Sequence, residues 1–422
     1  MATFNEKPNI IIIISDALRP KDLSLYGNKK ELDTHIKKIA SESVVFEKNL
    51  STSNASDTSL TAIFSGLYPT SSGFIHQHPY TKKEEIDKLR KIKFWLPTFL
   101  KKQGYSTFSS TPLHSWFKKG FDASMSLGNK EANKFLNNQI IKKILLMLPN
   151  WAYAFGKKLV KARASPDFYS AEKVINLAIS QISSAQKPFF LFMHLVDTHF
   201  PFPGTETKKT IGRESLKLIL KNIKYSAQKE YIKKRFHDTS AEYLEQILEK
   251  RDEAIGQVDN QMGRLYNFLK SKKLWKNTIF IFLSDHGENY GEHGIYFCRG
   301  GLYDSSLHTP LIIHLPKIKP KRINQLTQSI DIAPTILEIL GKNQKLDGKS
   351  MLNGINKNKK IRDKAILIDG FCEDRIAIRT ETKKTITSRE GKCRICGAEH
   401  GLLKEVYDLK KDPEELNNIS KF

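Results

Sequence analysis

The chain of 422 residues has few cysteines and no long apolar run, and each of these shortages excludes a class of protein. Four cysteines cannot form the disulfide framework of a secreted chain of this length, so they indicate a reducing compartment. The run Ile10–Ile14 is followed by the charged Asp16 and has no small-residue cleavage site, unlike a secretory signal peptide. The sequence therefore predicts a cytoplasmic protein.

A second apolar segment, Ile144–Gly156, is too short to cross a bilayer, because a spanning helix needs roughly 20 apolar residues. Its aromatic residues and flanking lysines are typical of helices that lie in a membrane surface. Peripheral contact with anionic lipid therefore stays open beside packing against the rest of the protein. The sequence has no zinc-finger, RNA-recognition or helix-turn-helix motif, so we expect no nucleic-acid partner. It has no feature that fixes an oligomeric state.

The charge balance is strongly basic, with a formal net charge of +24 at pH 7 and an isoelectric point of about 9.6. Such a charge favours anionic partners, here a small molecule, a polyanionic glycan or a lipid surface, although solvated lysine-rich faces are its commoner explanation. Residues 208–235 concentrate the charge, with ten Lys and Arg against Glu214 and Glu230. We expect them to belong to a basic helical insertion, about 130–240, near the substrate entrance.

Short apolar runs alternate with helical patterns along the chain, which predicts an α/β fold. The predicted strands are Ile10–Ile14, Phe189–Met193, Ile279–Leu283 and Leu311–Leu315. Residues 255–269 carry apolar side chains at steps of three and four, which predicts a helix with one buried stripe. We expect a catalytic domain over 1–340 and a small α+β subdomain over 341–422, with short strands at Ala365–Ile368 and Ile376–Ile378.

Acidic residues follow two of the predicted strands directly. Asp16 comes after the first strand, and Asp285 with His286 comes after the third. Because ligands bind at the carboxyl edge of a parallel sheet, we expect these side chains to converge there. Two carboxylates and an imidazole suit one divalent cation, and the histidine favours Mn²⁺ or Zn²⁺ over Ca²⁺. The alternative is that each aspartate only caps a following helix.

A segment rich in serine and threonine, Ser51–Ser65, lies between the first two predicted strands and ends at Gly66. A loop that leads into the start of a helix presents hydroxyl and backbone N–H groups, which can bind an oxyanion. By spacing alone, Ser56, Thr58 or Ser59 can supply a reactive hydroxyl there.

Seven parts of the sequence together resemble a known family. They are Pro8–Asn28, Ser56–Gly73, Pro188–Phe202, Asn277–Gly294, Leu302–Pro310, Asp331–Leu337 with Leu346–Gly348, and Val406–Asn418. In this order, and over nearly the whole chain, they resemble a sulfatase-type member of the alkaline phosphatase superfamily. The resemblance implies a three-layer α/β/α domain with a mostly parallel central sheet.

The same resemblance implies the residues that do the chemistry. Ser56 takes the place of the family's nucleophile, ten residues before Gly66. Asp16, Asp285 and His286 take the places of metal ligands. A bound cation can activate a serine hydroxyl and polarise the group that it attacks, so these residue types suit ester cleavage.

Four further residues are candidate contacts of the substrate. Arg299 takes the place of a substrate-binding lysine, and His199 matches a histidine that touches the transferred group or the leaving oxygen. His293 and His114 are candidates for substrate binding. The alternatives are loop histidines without a function, packing of His114 beside Trp116, and an ion pair of Arg299 with Asp304 or Glu292.

Departures from the family pattern bear on the substrate. Sulfatases usually convert Cys or Ser to formylglycine, and the modifying enzymes read Pro or Ala two residues on and Arg four residues on. This chain has Thr58 and Leu60 there, so we expect Ser56 to remain serine. Ala17, in place of a second aspartate, and His286, in place of an asparagine, resemble branches that move phosphoryl-linked groups.

The sequence therefore predicts a metal-dependent hydrolase that cleaves a sulfate or phosphate ester of an anionic small molecule or glycan by attack of Ser56. One alternative is a phosphotransferase that passes a phosphoethanolamine or phosphoglycerol group to a glycan hydroxyl. Another is an inactive protein that binds a polyanion through its basic surface.

Overall fold

The computed structural model describes residues 6–78, 80–111, 114–124, 170–200, 202, 244–371, 374–388 and 404–420. The expectations for the apolar segment Ile144–Gly156 and for the basic stretch 208–235 lie outside these residues. The extent of the insertion and the boundary between the two predicted domains stay predictions.

Strands of the described residues form two main sheets and one short pair. In chain order they are β1 (Asn9–Ser15), β2 (Val44–Leu50), β3 (Ser106–Ser109), β4 (Ala123–Ser124), β5 (Phe189–Leu195), β6 (Thr278–Leu283), β7 (Asn289–Tyr290), β8 (Tyr296–Cys298), β9 (His308–His314), β10 (Lys321–Gln328), β11 (Ala365–Ile368), β12 (Arg375–Arg379), β13 (Lys383–Ser388) and β14 (Lys404–Asp408). β7 and β8 pair only with each other.

The central sheet has eight strands in the order β10-β2-β9-β6-β1-β5-β3-β4. β9 runs antiparallel to both of its neighbours, and the other strands are mutually parallel. The predicted, mostly parallel sheet is therefore confirmed. The first three predicted strands lie within β1, β5 and β6, and the fourth, Leu311–Leu315, overlaps β9.

Helices cover both faces of this sheet. They are α1 (Thr34–Ala40), α2 (Ser56–Ser65), α3 (Pro69–Ser72), α4 (Lys83–Arg90), α5 (Leu96–Lys102), α6 (Ala171–Ser184), α7 (Leu244–Ser271), α8 (Asp304–Leu307), α9 (Ile332–Ile339) and α10 (Leu352–Lys357). α1, α6 and α7 pack on one face, and α2, α5 and α9 pack on the other. The predicted apolar stripe of residues 255–269 is buried in α7, which confirms that helix. No helix among the described residues is long and apolar enough to span a bilayer.

The five isoleucines of β1 explain why its sequence does not alternate between apolar and polar residues. Ile10, Ile12 and Ile14 belong to the core on the α2 side, whereas Ile11 and Ile13 belong to the core on the α7 side. All of them are fully buried. A strand in the middle of a sheet that is covered on both faces needs apolar side chains at every position. The result is the three-layer α/β/α architecture that the sequence predicted.

A second sheet, of four antiparallel strands in the order β11-β12-β13-β14, lies towards the C-terminus. β11 spans the predicted strand Ala365–Ile368, and β12 contains Ile376–Ile378. The sheet packs on the central domain through its own apolar cluster, in which Leu367 and Ala377 meet Leu50 and Leu302. This contact brings the end of β11 close to the start of α2.

Candidate active site

The candidate site lies at the carboxyl edge of the central sheet. β1 is paired in parallel with β5 and β6, so that Ile14 lies opposite His194 on one side and Leu283 on the other. The residues that follow these strands therefore leave the sheet at the same edge. Asp16 and Asp285, which are far apart in the sequence, meet there as predicted.

Asp16, Asp285 and His286 together form a cluster that can hold a metal ion. One potential ligand atom from each lies within 4.8 Å of the others. Asp16 is 6% exposed, and Asp285 and His286 are fully buried. Asp16 Oδ1 and Asp285 Oδ2 are buried with no hydrogen-bond partner among the described residues. Two neighbouring buried carboxylates with free oxygens are costly unless a cation compensates them, so the donor set fits a divalent metal.

The alternative that these aspartates cap helices is wrong. The chain turns sharply after Asp16, where Ala17 has a φ of 61°, and Asp285 is followed by a loop that leads to β7. Asp285 Oδ1 instead accepts hydrogen bonds from the backbone N–H groups of Ala17, at 3.4 Å, and His286, at 3.0 Å. Asp285 thereby joins the two loops that carry the cluster.

His286 is oriented to present a lone pair to the site. Its Nδ1 lies 2.8 Å from the carbonyl oxygen of Gly287, which can only accept, so Nδ1 carries the proton and Nε2 keeps a lone pair that can accept a hydrogen bond or bind a metal. Burial, together with the charge of Arg299, lowers the pKa of His286. The imidazole is therefore neutral at pH 7, which is the form that binds metal.

Asp16 is ionised in its buried position. Burial disfavours the charged form, but nearby imidazoles outweigh this effect and hold the pKa of Asp16 well below its usual range. The imidazoles belong to His199 and His194. Asp16 therefore offers a carboxylate, the form that a metal requires.

Ser56 is the first residue of α2, and its hydroxyl faces the cluster. The Oγ atom lies 3.0 Å from Nε2 of His286 and is 3.4 Å from Nη1 of Arg299. The other two candidate hydroxyls point elsewhere, since Thr58 donates to the carbonyl of Ile75 and Ser59 contacts the backbone of Ser53. Of the three hydroxyls that the spacing in the sequence allowed as the reactive group, that of Ser56 is therefore the one that faces the cluster.

The Ser/Thr-rich segment contains more helix than its sequence predicted. All of Ser56–Ser65 is helical and buried, and only residues 51–55 form the loop before it. The hydroxyls of Thr61 and Ser65 donate to carbonyls one turn earlier in the helix, which satisfies them inside the protein. Ser56 consequently stands on a rigid element, at the helix end where the dipole favours negative charge.

Arg299 and His199 are the remaining polar side chains near Ser56 that the sequence predicted. Arg299 Nη1 lies 2.7 Å from Nε2 of His286 and 3.3 Å from Nε2 of His199. Nδ1 of His199 is hydrogen-bonded to the carbonyl oxygen of Phe200, and Nε2 is therefore the ring nitrogen that faces Arg299. Arg299 is only 8% exposed, and its Nε has no hydrogen-bond partner among the described residues. A guanidinium with a buried free donor is suited to receive an anion.

The alternative ion pairs of Arg299 are both wrong, because their acidic partners are occupied. Asp304 pairs with Arg379 at 3.1 Å and with Lys384 at 2.8 Å. Glu292 pairs with Arg19 at 2.9 Å.

His114 and His293 occupy different places. The His114 ring stacks on Trp116 with 4.4 Å between centroids, and its Nε2 lies 3.9 Å from the carboxylate of Asp57, the residue after Ser56. His114 is therefore at the rim of the site.

His293 stacks on Tyr303 at 3.6 Å and lines a cavity next to the C-terminal sheet with His308 and Arg379. The substrate roles of both histidines stay predictions.

His194 also belongs to the site, although no role was predicted for it from the sequence. Its Nε2 lies 3.2 Å from Asp16 Oδ2 and 3.8 Å from Asp285 Oδ2. Burial alone would lower the pKa of His194, but the hydrogen bond and charge of Asp16, with the charge of Asp285, raise it. The available signal was a lone histidine near the end of the apolar run Phe189–Leu195, at a register position beside β1.

Comparison with known proteins agrees with this arrangement. The family model described as Sulfatase matches residues 8–342, and the one described as N-sulphoglucosamine sulphohydrolase, C-terminal, matches residues 291–421. An ulvan-active sulfatase of Formosa agariphila is 26% identical over 372 residues, which cover 84% of this chain and 56% of that relative. The chain thus spans little more than half the length of this relative.

Solved structures show the same fold. The phosphonate monoester hydrolase of Agrobacterium radiobacter superimposes with a TM-score of 0.69 at 18% identity, over 98% of this chain and 91% of that one. A 2-O GAG sulfatase superimposes with a TM-score of 0.70 at 18% identity, over 99% and 88% of the two chains. The sulfatase model covers most of the sequence, and the chain therefore belongs to the sulfatase family of the alkaline phosphatase superfamily.

Proposed function

We propose that the protein is a metal-dependent hydrolase that cleaves a sulfate ester of an anionic glycan, with Ser56 as the nucleophile. The observation that carries the proposal is the position of the Ser56 hydroxyl, 3.0 Å from His286 and 3.4 Å from Arg299 beside two buried carboxylates. The net charge of +24 suits a polyanionic substrate. The names of the relatives, an ulvan-active sulfatase and a GAG sulfatase, support a sulfated glycan.

Asp16, Asp285 and His286 would hold the metal ion, which we propose to be Mn²⁺ or Zn²⁺ because one of the ligands is an imidazole. When bound, such an ion lowers the pKa of a neighbouring hydroxyl and polarises the oxygens of the ester. The chain's own residues supply the other requirements: position, neutralisation of charge, and a proton for the leaving group.

In the first step the Ser56 alkoxide attacks the sulfur atom, and the bond from sulfur to the ester oxygen breaks. Protonated His199 donates its Nε2 proton to that oxygen, so the glycan leaves as an alcohol. The guanidinium of Arg299 neutralises charge on the sulfuryl oxygens. Water then attacks sulfur and gives a proton to His199, the bond to Ser56 breaks as the alkoxide, and sulfate is released.

Sulfate release from defined substrates tests the proposal. The purified protein, loaded in parallel with Mn²⁺, Zn²⁺ or Ca²⁺, is incubated with nitrophenyl sulfate and with sulfated glycan oligosaccharides. Nitrophenyl phosphate and a nitrophenyl phosphodiester serve as comparison substrates. We expect sulfate release that Ser56→Ala reduces by at least about a thousandfold, as loss of a nucleophile does.

Ser65→Ala is the matched control, because Ser65 is a buried serine at the other end of α2 whose hydroxyl donates to the carbonyl of Thr61 and accepts from the backbone N–H of Leu67, away from the metal cluster. It should keep the activity of the unaltered protein. Full activity of Ser56→Ala would disprove the nucleophile, and turnover of the phosphodiester alone would disprove the sulfate ester as substrate.

A further inference from the structure

A turn of the C-terminal sheet lies directly against the segment that carries Ser56. The turn, residues 369–371, follows β11, and the last residue of β11, Ile368, pairs in parallel with Ser53. The backbone N–H of Ile368 donates to the carbonyl of Thr52 at 2.9 Å. At Gly370 a Cβ atom would lie 2.8 Å from the Cβ of Ala55 and 2.5 Å from the carbonyl oxygen of Ile75, so no side chain fits there.

Asn54 ties this turn to the loop that carries Arg299. Its Nδ2 lies 2.9 Å from the carbonyl oxygen of Arg299, 3.1 Å from that of Gly301 and 3.0 Å from Oδ1 of Asp369. Its Oδ1 accepts from the backbone N–H of Gly370 at 3.0 Å. Asn54 is fully buried. One side chain thus fixes three segments that are distant in the sequence: the segment before Ser56, the Arg299 loop and the C-terminal turn.

Phe371, at the end of the turn, contacts the guanidinium itself. The Cζ atom of Arg299 lies 4.7 Å from the centre of the Phe371 ring, which is within cation–π distance. The ring packs at the same time against the apolar cluster of the C-terminal sheet. The Arg299 guanidinium therefore contacts the aromatic ring of Phe371, while its Nη1 lies near Ser56, His286 and His199.

We infer that Phe371 is a positioning residue that holds the Arg299 guanidinium against Ser56, so that the C-terminal subdomain is a working part of the active site. This inference rests on the proposed role of Arg299 in binding the sulfuryl oxygens. A guanidinium on a long, rotamer-rich stem loses affinity for an anion when it must first be ordered, and the ring removes that cost in advance.

Affinity for inorganic sulfate, measured by isothermal titration calorimetry with the full chain, tests the inference without any turnover. Phe371→Leu keeps an apolar side chain but loses the aromatic face, and it should weaken sulfate binding about fivefold to tenfold. Phe371→Tyr restores the face and should return the affinity to within about twofold of the original. Ile378→Val, at an exposed position of β12, is the control in the same sheet and should leave the affinity for sulfate unchanged.

A double-mutant cycle with Arg299→Ala separates positioning from a general effect on the fold. If Phe371 acts through Arg299, Phe371→Leu has no further effect on sulfate affinity once Arg299 is removed. An additive loss in that background, an unchanged affinity in Phe371→Leu alone, or no sulfate binding by the unaltered protein would each overturn the inference. Absence of sulfatase turnover would instead count against the proposed function, because the binding comparison does not depend on it.

Discussion

The Oγ of Ser56 and the Nε2 of His286 lie 3.0 Å apart although 230 positions separate the two residues in the sequence. The contact exists because α2 begins at the edge of the sheet where β6 ends. His286 thereby faces both the hydroxyl and the carboxylates of the metal cluster. Its identity, an imidazole where the family pattern has an asparagine, makes the metal preference of the site testable.

Replacement of His286 by asparagine should change which metal the protein binds. The neutral imidazole favours Zn²⁺ and Mn²⁺, whereas an amide oxygen suits Ca²⁺, a hard cation with oxygen ligands. In competition with a chromophoric chelator, we expect His286→Asn to lower the affinity for Zn²⁺ by at least about a hundredfold and to leave that for Ca²⁺ equal or higher. A parallel fall for both ions would contradict an imidazole-selected site.

Loss of His194 should weaken the metal site without removing a predicted ligand. His194 Nε2 lies 3.2 Å from Asp16 Oδ2 and 3.8 Å from Asp285 Oδ2, so the charge of the imidazole stabilises both carboxylates. Partners of this kind typically change metal affinity by roughly 10-fold to 100-fold, and we expect His194→Ala to lower Zn²⁺ affinity within that range. The spectrum of the Co²⁺-loaded protein should also shift. His35→Ala, on α1 at the opposite face of the sheet, should alter neither quantity.

The sequence predicted the strands of the sheet where burial is complete, and missed them where it is not. β1, β5 and β6 are apolar at nearly every position because helices cover both their faces. β10 is one of the two edge strands, and its sequence KRINQLTQ is largely polar, so it carries no apolar signal. The antiparallel direction of β9 could not be predicted either, since an apolar run has the same composition in either direction.

The site was predictable as far as it depends on strand ends. Asp16 and Asp285 could be placed together because parallel strands share a carboxyl edge. Asn54 could not, because its partner Asp369 lies 315 positions further along the chain. Phe371 could not, because its partner Arg299 belongs to a different loop, far from it in the sequence. The residues next to Asn54 and Phe371 in the sequence do not indicate such contacts.

Ser56 is expected to remain unmodified serine in the mature protein. The position four residues on, where the formylglycine signal has arginine, is Leu60, which is 3% exposed and packs in the main apolar core. Thr58, two residues on, takes the place of proline or alanine in that signal. Mass spectrometry of the peptide that contains Ser56 should therefore give the mass of the encoded sequence. A peptide lighter by two hydrogens would show formylglycine and contradict the expectation.

Asp197 should make the protein less stable as the pH rises. Burial raises the pKa of Asp197 to about 6 from an ordinary value of 3.8. Its Oδ1 accepts from the backbone N–H of Ala171, but Oδ2 is buried with no hydrogen-bond partner among the described residues. The folded state therefore favours the protonated acid. Below pH 3.8 both folded and unfolded chains are protonated at this position, and the residue contributes nothing to the pH dependence.

Between pH 3.8 and about 6 the unfolded chain releases this proton first, so stability falls as the pH rises, and above pH 6 the cost is complete. A shift of this size corresponds to a few kcal/mol, on the order of 2–3. Asp197→Asn keeps the acceptor for Ala171 and removes the charge. Its thermal unfolding midpoint should exceed that of the original protein at pH 7 and above, and the difference should vanish near pH 4. Midpoint curves that stay parallel across this range would refute a protonated, buried Asp197.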